Sequence, residues 1–325
     1  MAKKVYITIF IIICLIPAVF MAILGPSKAG ANEILSSKPK MGLDVLSQTT
    51  DYIGDRFAFR NELISCYSWI NAKLFKTSLE DQVVLGKNDW LYYASDLDDY
   101  RGIALSDDEL NTIAANLEKL QFEVEERGGK FIFTIAPNKS SIHGENMPGY
   151  IENKHEDSNA ERLLTYLNKH NINYVNLFAP QIPYYKTDSH WTEEGAAIAC
   201  DMLIGTSYSS GTFSLSGDKH LGDLYEMLYP AFPGTDDEVK YDGELQFTCK
   251  DDDNGGNAIT IETSGRGEKT LYCWRDSFGI TLYPYLADAT KTATFSRSTD
   301  FDASKCADAD IVILEIVERN IKKLL

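Results

Sequence analysis

Two short segments hold the side chains best suited to chemistry. The first is Thr187-Asp188-Ser189-His190-Trp191, which follows a loop containing Pro180 and Pro183 and precedes a helical pattern. The second is Trp274-Arg275-Asp276-Ser277-Phe278-Gly279, where a strand-like run passes into a helical one. A serine at such a turn stands at the carboxyl edge of a parallel sheet, where open α/β folds carry their sites. The first amides of the following helix can stabilise an oxyanion there. The hydroxyl itself is a weak nucleophile and needs a base oriented by a third group. Asp188 and His190, one residue apart, project from the same side of an extended loop, so the carboxylate can take the Nδ1 hydrogen while Nε2 faces Ser277. The spacing predicts a Ser277–His190–Asp188 triad. Taken singly, Asp-Ser is equally a helix cap, and Asp-x-His-Trp a polar turn with the indole in the core. His143, His155, His170 and His220 lie in polar or loop surroundings, where solvent exposure is the expectation.

The elements that must position these residues follow an α/β rhythm. Ser106 and Glu109 form a capping box for a helix to about Arg127, ended by Gly128-Gly129. Lys130 to Ala136 reads as a buried parallel strand stopped by Pro137. A helix over Asn159–Lys169, a strand over Asn173–Phe178 and a helix capped by Thr192 follow. Gly205 to Lys240 reads as irregular. Glu244–Lys250 and Asn257–Thr263 read as an antiparallel hairpin decorating the sheet, and strands then recur at Thr270–Trp274, Thr292–Phe295 and Asp310–Glu315. The alternation predicts a doubly wound, mainly parallel sheet. Upstream, Ile53, Phe57, Leu63, Ile64, Tyr67, Ile70 and Leu74 recur at helical spacing and predict a helical lead-in packed on the main domain. Val83-Val84-Leu85 and Trp90-Leu91-Tyr92-Tyr93 flank a polar turn, as in a hairpin.

The 325 residues carry 31 Lys and Arg against 48 Asp and Glu, a net charge of −17 that argues against nucleic acid as a partner. One stretch departs from this acidic, globular composition. Val5 to Leu24 has no charge and is long enough to span a bilayer, and Lys3 and Lys4 before it predict a cytoplasmic N-terminus with the remainder exported. Cleavage after a signal peptide at Ala29-Gly30-Ala31 is the alternative and would give a secreted protein. The expected organisation is a stub and anchor over 1–25, a tether over 26–43, the helical lead-in and hairpin over 44–105, and the main domain over 106–325 with an insertion at about 205–268. Cys14 lies in the apolar run. Cys66, Cys200, Cys249, Cys273 and Cys306 suggest buried thiols, with a Cys249–Cys273 bridge left open. No metal cluster, glycine-rich phosphate loop or nucleotide fingerprint is evident, so no cofactor is expected.

Asp188-Ser189-His190-Trp191, Arg275-Asp276-Ser277-Phe278 and Glu318-Arg319 resemble the SGNH-hydrolase-like proteins of the alginate O-acetyltransferase family, of the J and X type. The resemblance extends to Asp55-Arg56-Phe57-Ala58-Phe59-Arg60, Gly86-Lys87-Asn88-Asp89-Trp90-Leu91-Tyr92 and Pro137-Asn138-Lys139, and so covers residues from about 50 to 325. It implies a triad of Asp188, His190 and Ser277, and acetylation of exopolysaccharide outside the cytoplasmic membrane. A multipass membrane acyltransferase would supply the acyl group. A carbohydrate esterase with the same triad and a catalytically silent surface assembly protein are the alternatives. Because the Asp/His loop precedes the serine strand, the motif order is circularly permuted relative to ordinary SGNH hydrolases. The strands near 272, 293, 313, 133 and 175 then correspond to the first to fifth of that fold, in spatial order 2-1-3-4-5.

The same mapping nominates further residues. Arg319 or Asn320 becomes an oxyanion or substrate contact, against a structural Glu318–Arg319 pair. Asn138 and Lys139 contact substrate or form a surface turn. Trp191 lines a sugar site or sits in the core. Arg275 stands where the family usually has glycine, and its side chain threatens to crowd the serine turn.

Overall fold

Lys130–Ala136 and Ile311–Val317 are almost continuously apolar, which suits strands covered on both faces, and they form the two longest strands of the main sheet. A computed structural model describes the chain apart from residues 1, 28, 30–34, 104, 154–156 and 179–181 and the side chains of residues 2, 14 and 18. The candidate cleavage site at Ala29-Gly30-Ala31, Pro180, His155 and the Cys14 side chain fall wholly or partly outside the described residues.

The chain begins with α1 (Ala2–Leu24), a helix long and apolar enough to cross a membrane. The lead-in comprises α2 (Val45–Gly54), α3 (Arg60–Ile70) continued by a π-helical turn over Asn71–Phe75, and the antiparallel pair β1 (Val83–Leu85) and β2 (Leu91–Tyr93). The short α4 (Leu97–Tyr100) precedes α5 (Asp107–Glu125), which carries the expected Ser106–Glu109 capping box. Next come β3 (Lys130–Ala136), α6 (Lys139–Ile142), α7 (Asn159–Lys169), β4 (Tyr174–Asn176) and α8 (Glu193–Ile204), the last capped by Thr192. Then follow β5 (Phe213–His220), α9 (Asp223–Leu228), β6 (Asp236–Tyr241), β7 (Thr248–Cys249) and β8 (Thr260–Ser264). The chain closes through β9 (Thr270–Trp274), α10 (Gly279–Asp288), β10 (Thr292–Ser296) and β11 (Ile311–Val317).

The main sheet runs β4-β3-β11-β9-β10-β8-β7, and its first five strands are parallel. In the mapping above, β10-β9-β11-β3-β4 is the order 2-1-3-4-5. Successive residues of β11 serve opposite layers. Ile311, Ile313 and Val317 join the core under α8 and α10, while Val312, Leu314 and Ile316 join that under α5 and α7. Helices thus cover both faces, and β9, which leads to Ser277, lies where the strand order reverses.

Several expectations change here. β7 and β8 are antiparallel, but β8 pairs with β10 and extends the main sheet, so the pair is the sheet's edge and not a separate hairpin decoration. The stretch read as irregular contains a second antiparallel pair, β5 with β6, with α9 between them. The lead-in is helical, yet its apolar stripe faces outward: Leu63, Tyr67, Ile70 and Leu74 are exposed, Leu74 by 71%. Small residues make the inward face. Ser65 and Ser68 are buried, and Ser65 Oγ accepts the Ala231 N–H at 2.9 Å just beyond α9. The five described cysteines are free. Cys273 lies buried in β9, with β10 and β8 between it and Cys249 in β7, and no bridge joins them.

Candidate active site

Asp276 builds the turn that presents Ser277. Its Oδ1 accepts the Phe278 N–H at 2.9 Å, closing the turn locally, and its Oδ2 accepts the Val317 N–H at 2.7 Å, tying the turn to the end of β11. The Asp276 N–H in turn donates to Glu315 Oε2 at 3.0 Å. Glu315 is the one acidic residue in β11. Burial, then the Asp276 charge, pushes its carboxyl well above the ordinary range.

The candidate base comes from the loop before α8. His190 Nε2 lies 2.9 Å from Ser277 Oγ and His190 Nδ1 lies 2.7 Å from Asp188 Oδ1, so the three expected residues form one continuous relay. Asp188 Oδ1 also accepts the His190 N–H at 2.9 Å, which holds the ring to its own loop. Burial works to raise the Asp188 carboxyl, but the His190 and His220 imidazoles outweigh it and hold the group well below the usual carboxylate range. Burial disfavours charge on His190, yet the Asp188 charge and hydrogen bond overcome that and raise its pKa. An ionised Asp188 bonded to Nδ1–H leaves Nε2 as the acceptor facing the serine. Phe278 packs its ring 4.8 Å from the imidazole and fixes the base from the side.

The segment read as irregular supplies the rest of this shell. His220 Nε2 reaches Asp188 Oδ2 at 2.8 Å, and its ring stacks on Tyr185 at 3.9 Å. Asp223 accepts the Ser189 N–H at 2.7 Å and the Ser189 hydroxyl at 2.6 Å, and Asp236 takes the N–H and hydroxyl of Thr187. Gly222 permits this approach, since a Cβ there would lie 2.3 Å from the Thr187 carbonyl oxygen. In sequence the only signals were the His220–Asp223 spacing and a glycine before a short helix. The ligand atoms of Asp188, His190 and Asp223 lie within 4.8 Å of one another and could hold a cation. Such an ion would compete with the hydrogen bonds just described.

The remaining nominated residues mostly prove structural. Lys139 is fully buried and donates to the carbonyl oxygens of Tyr185, Lys186 and Asp188 at 2.9, 2.9 and 2.6 Å, so it braces the base loop and neither meets substrate nor forms a surface turn. Its ammonium also lies 5.3 Å from the Trp90 ring centre and 5.4 Å from that of Tyr92, which joins two of the motifs quoted above. Burial lowers its pKa to about 8. Asn138 is buried as well, its N–H donating to Glu318 Oε2 and its Nδ2 to Asp99 Oδ2, which leaves no face for substrate. Trp191 is core: it is buried and meets Phe278 edge to face at 4.9 Å.

Arg275 turns away from the serine. Its Nη2 donates to the carbonyl oxygens of Gly256 and Ala258 at 2.7 and 3.3 Å, and its stem lies across Gly279, where a Cβ would come within 2.6 Å of it. The turn is therefore not crowded by the missing glycine. Glu318 and Arg319 do not pair with each other. Glu318 bonds Asn138 and Ser141, while Arg319 Nη1 reaches buried Asp96 at 3.3 Å and its guanidinium lies 5.7 Å from the Phe278 ring centre. Asn320 remains a direct candidate, for it lines with Ser277, Glu315 and Arg297 a cavity of about 210 Å³.

The chain is similar in part to several known proteins. Residues 83–206 match the family model of the SGNH hydrolase-like domain of the acetyltransferase AlgX, a span that includes Asp188 and His190 and ends before Ser277. A probable alginate O-acetylase AlgJ of Pseudomonas syringae pv. tomato is 29% identical over 164 residues, which is 46% of this chain and 39% of that protein. The match thus spans well under half of the relative's length. Among solved structures, Bacillus cereus PatB1 superposes with a TM-score of 0.56 at 16% identity, covering 74% of this chain and 96% of the other. A DHHW family protein from Eubacterium siraeum gives 0.50 at 15%, covering 74% and 94%. At these identities the two structures speak for the fold alone. Motifs, sheet order and matches together make the chain similar to the SGNH hydrolase-like acetyltransferases of the AlgJ and AlgX type.

Proposed function

We propose that the chain is a serine-triad O-acyltransferase that moves acetyl groups onto hydroxyls of a polysaccharide outside the cytoplasmic membrane. The observation that carries this reading is the continuous relay from Asp188 through His190 to Ser277 at the edge of the sheet. Ser277 Oγ attacks the acyl carbonyl while its proton passes to His190 Nε2, and Asp188 stabilises the imidazolium. The oxyanion faces Asn320 and the first amides of α10. The donor's leaving oxygen takes the proton from His190, leaving an acyl ester on Ser277. An acceptor hydroxyl then gives its proton to His190, attacks the ester and frees Ser277, which recovers the proton. Transfer in place of hydrolysis requires a bound acceptor hydroxyl to outcompete water.

The setting follows from α1. Retained as an anchor, it holds the site beside a multipass membrane acyltransferase and raises the effective concentration of the donor. The boundaries at about 25, 43 and 105 divide anchor, tether and lead-in from the catalytic domain. The test is labelling of Ser277 by a sulfonyl fluoride, read by peptide mass spectrometry, together with glycan O-acetyl content in cells carrying Ser277→Ala. The chemistry suits the reagent, since the related PatB1 fold has been solved with a sulfonyl adduct. Labelling at Ser277 and loss of glycan acetyl are expected. Absent labelling in folded protein sinks the triad, and labelling with unchanged glycan acetyl makes the protein an esterase of the same mechanism.

A further inference from the structure

The two sides of α3 and its π-helical turn differ in kind. Ser65, Ser68 and Ala72 are buried against the body of the protein. On the other side Leu63, Tyr67, Ile70 and Leu74 recur at helical spacing as one stripe, and all four are exposed, Tyr67 by 62%. A contiguous apolar stripe open to solvent marks a surface that meets a protein or a membrane.

What meets the stripe follows from where α3 begins. Phe59, the residue just before α3, packs its ring edge to face on Phe20 of α1 at 5.0 Å. Phe20 lies about one helical turn, roughly 5 Å, short of the end of α1 at Leu24. The Ser27 N–H donates to the Arg56 carbonyl oxygen at 3.0 Å, and Gly25 and Pro26 share a groove with Ala58 and Phe59. The chain leaving α1 therefore lies against the start of α3. With α1 across a bilayer, the first turn of α3 stands at the depth of the headgroups, where an apolar helix face meets the acyl boundary. The charge pattern suits that position. Arg56, Arg60, Lys73 and Lys76 fall between residues 56 and 76 with Glu62 as the one acid, and acids resume at Asp55 and Glu80, in a chain of net charge −17. Lys73 also pairs with Asp89 at 3.0 Å. An acid-poor window of this kind faces anionic headgroups without repulsion, and the amphipathic ring of Tyr67 suits the same depth.

We infer that the face made by Leu63, Tyr67, Ile70 and Leu74 is an interfacial membrane helix, seated in the lipid leaflet from which α1 emerges. The inference rests on the reading of α1 as a retained anchor. Its consequence reaches the catalytic loop. Ser65 ties the inward side of α3 to the residues beyond α9, and Asp223 of α9 bonds Ser189 beside the candidate base. A docked α3 thus holds that loop at a set height over the bilayer, a height that an anchor and tether alone would leave free.

The experiment reconstitutes the full chain, carrying Trp69→Phe to lower the background, in vesicles of phosphatidylcholine and phosphatidylglycerol whose brominated acyl chains quench nearby tryptophan. Trp191 and Trp274 are buried, and they and Trp90 are common to every variant. Tyr67→Trp and Leu74→Trp should each add emission that bromine cuts by about half or more, as expected for side chains at the acyl boundary. Phe122→Trp, at an exposed site on α5, should add emission that bromine leaves unchanged. Leu63→Asp with Ile70→Asp should free position 67 from quenching while α1 keeps the chain in the membrane. Equal quenching at position 122, or quenching at 67 that persists with both aspartates, overturns the inference. So does emission at 67 and 74 that bromine leaves intact, which would assign the stripe to a protein partner. Alkaline carbonate extraction separates the two readings. A chain that carbonate releases has no spanning anchor, and the inference falls with it; a chain that carbonate retains with positions 67 and 74 unquenched keeps its anchor and loses the docked face.

Discussion

His220 donates from Nε2 to the oxygen of Asp188 that His190 leaves unused, at 2.8 Å, so two imidazoles share one buried carboxylate. An ionised carboxylate only accepts, which fixes His220 as the donor. Without it, Oδ2 retains only the longer 3.2 Å bond from the Asp223 N–H. His220→Ala is expected to slow sulfonylation of Ser277 by about ten- to a hundredfold, the worth of one hydrogen bond to a charged group. Its acid limb should also move to higher pH, because a less shared Asp188 charge raises His190 further. His220→Gln, which keeps an N–H donor, should recover part of the rate. A packing defect alone would slow the reaction without moving the limb.

The same relay sets the pH dependence of the wild type. His190 must be neutral to accept the serine proton, and Asp188 raises its pKa above the ordinary 6.5. Labelling should therefore rise with pH through a midpoint above 6.5. Asp188→Asn should lower that midpoint and reduce the rate by about 10⁴, as loss of the orienting carboxylate does in other triads. Stopped-time labelling across pH checks both.

Lys139 is the brace under the base loop. Lys139→Met keeps the stem but strands three carbonyl oxygens, at a cost of roughly 3 kcal/mol or more. Urea unfolding should show the loss. Lys139→Arg should not repair it, because a planar fork cannot point three hydrogens at oxygens arranged for an ammonium.

Arg275→Gly restores the residue type that the family resemblance leads one to expect. It removes the bonds to Gly256 and Ala258 and should cost about 1–3 kcal/mol in chemical denaturation. The rate of Ser277 labelling should change little, since Nη2 is held by Gly256 and Ala258 and only the 3.3 Å bond from Nη1 to the Asp276 carbonyl oxygen touches the serine turn. A large gain in rate would mean that the side chain does obstruct the turn.

Glu318 gives a stability signature separate from activity. Burial, then Asp99, pushes its carboxyl up to about 8, so the folded chain keeps a proton that the unfolded chain releases above about 4.5. Its contribution to stability is thus fullest below 4.5 and is lost as pH rises toward 8. Glu318→Gln should flatten the fall in melting temperature over that window relative to wild type.

How much of this was legible depended on how local each signal was. The apolar run at 130–136, the run at 310–315 that the strand extends to 317, the Ser106 and Thr192 caps and the Asp188-x-His190 spacing are decided within a few residues, and each took the expected form. Lys139 read as a substrate contact or surface residue because nothing beside it in sequence can satisfy an ammonium. Its three acceptors arrive from residues 185–188. His220, Asp223 and Asp236 were hidden for the complementary reason. They sit in a polar stretch with weak periodicity, and only the β5–β6 pairing and the close approach at Gly222 carry them to the base loop. The lead-in showed helical spacing, but periodicity reports that a stripe exists and not which way it faces.

The order of the strands also governs when the site can exist. β11 is made after β3 and β9, yet it lies between them at the middle of the sheet, and its Val317 amide holds the Asp276 carboxylate behind Ser277. A nascent chain that already displays Asp188 and His190 still has β3 and β9 unjoined and the serine turn unpinned. Biosynthesis therefore delivers the base hundreds of atoms before the nucleophile, and assembly waits on a contact of long sequence separation, the slow kind to close. A protease cut ahead of residue 311 would remove the keystone of the sheet and silence the molecule, whereas loss of the short edge strand β7 would leave that central seam intact.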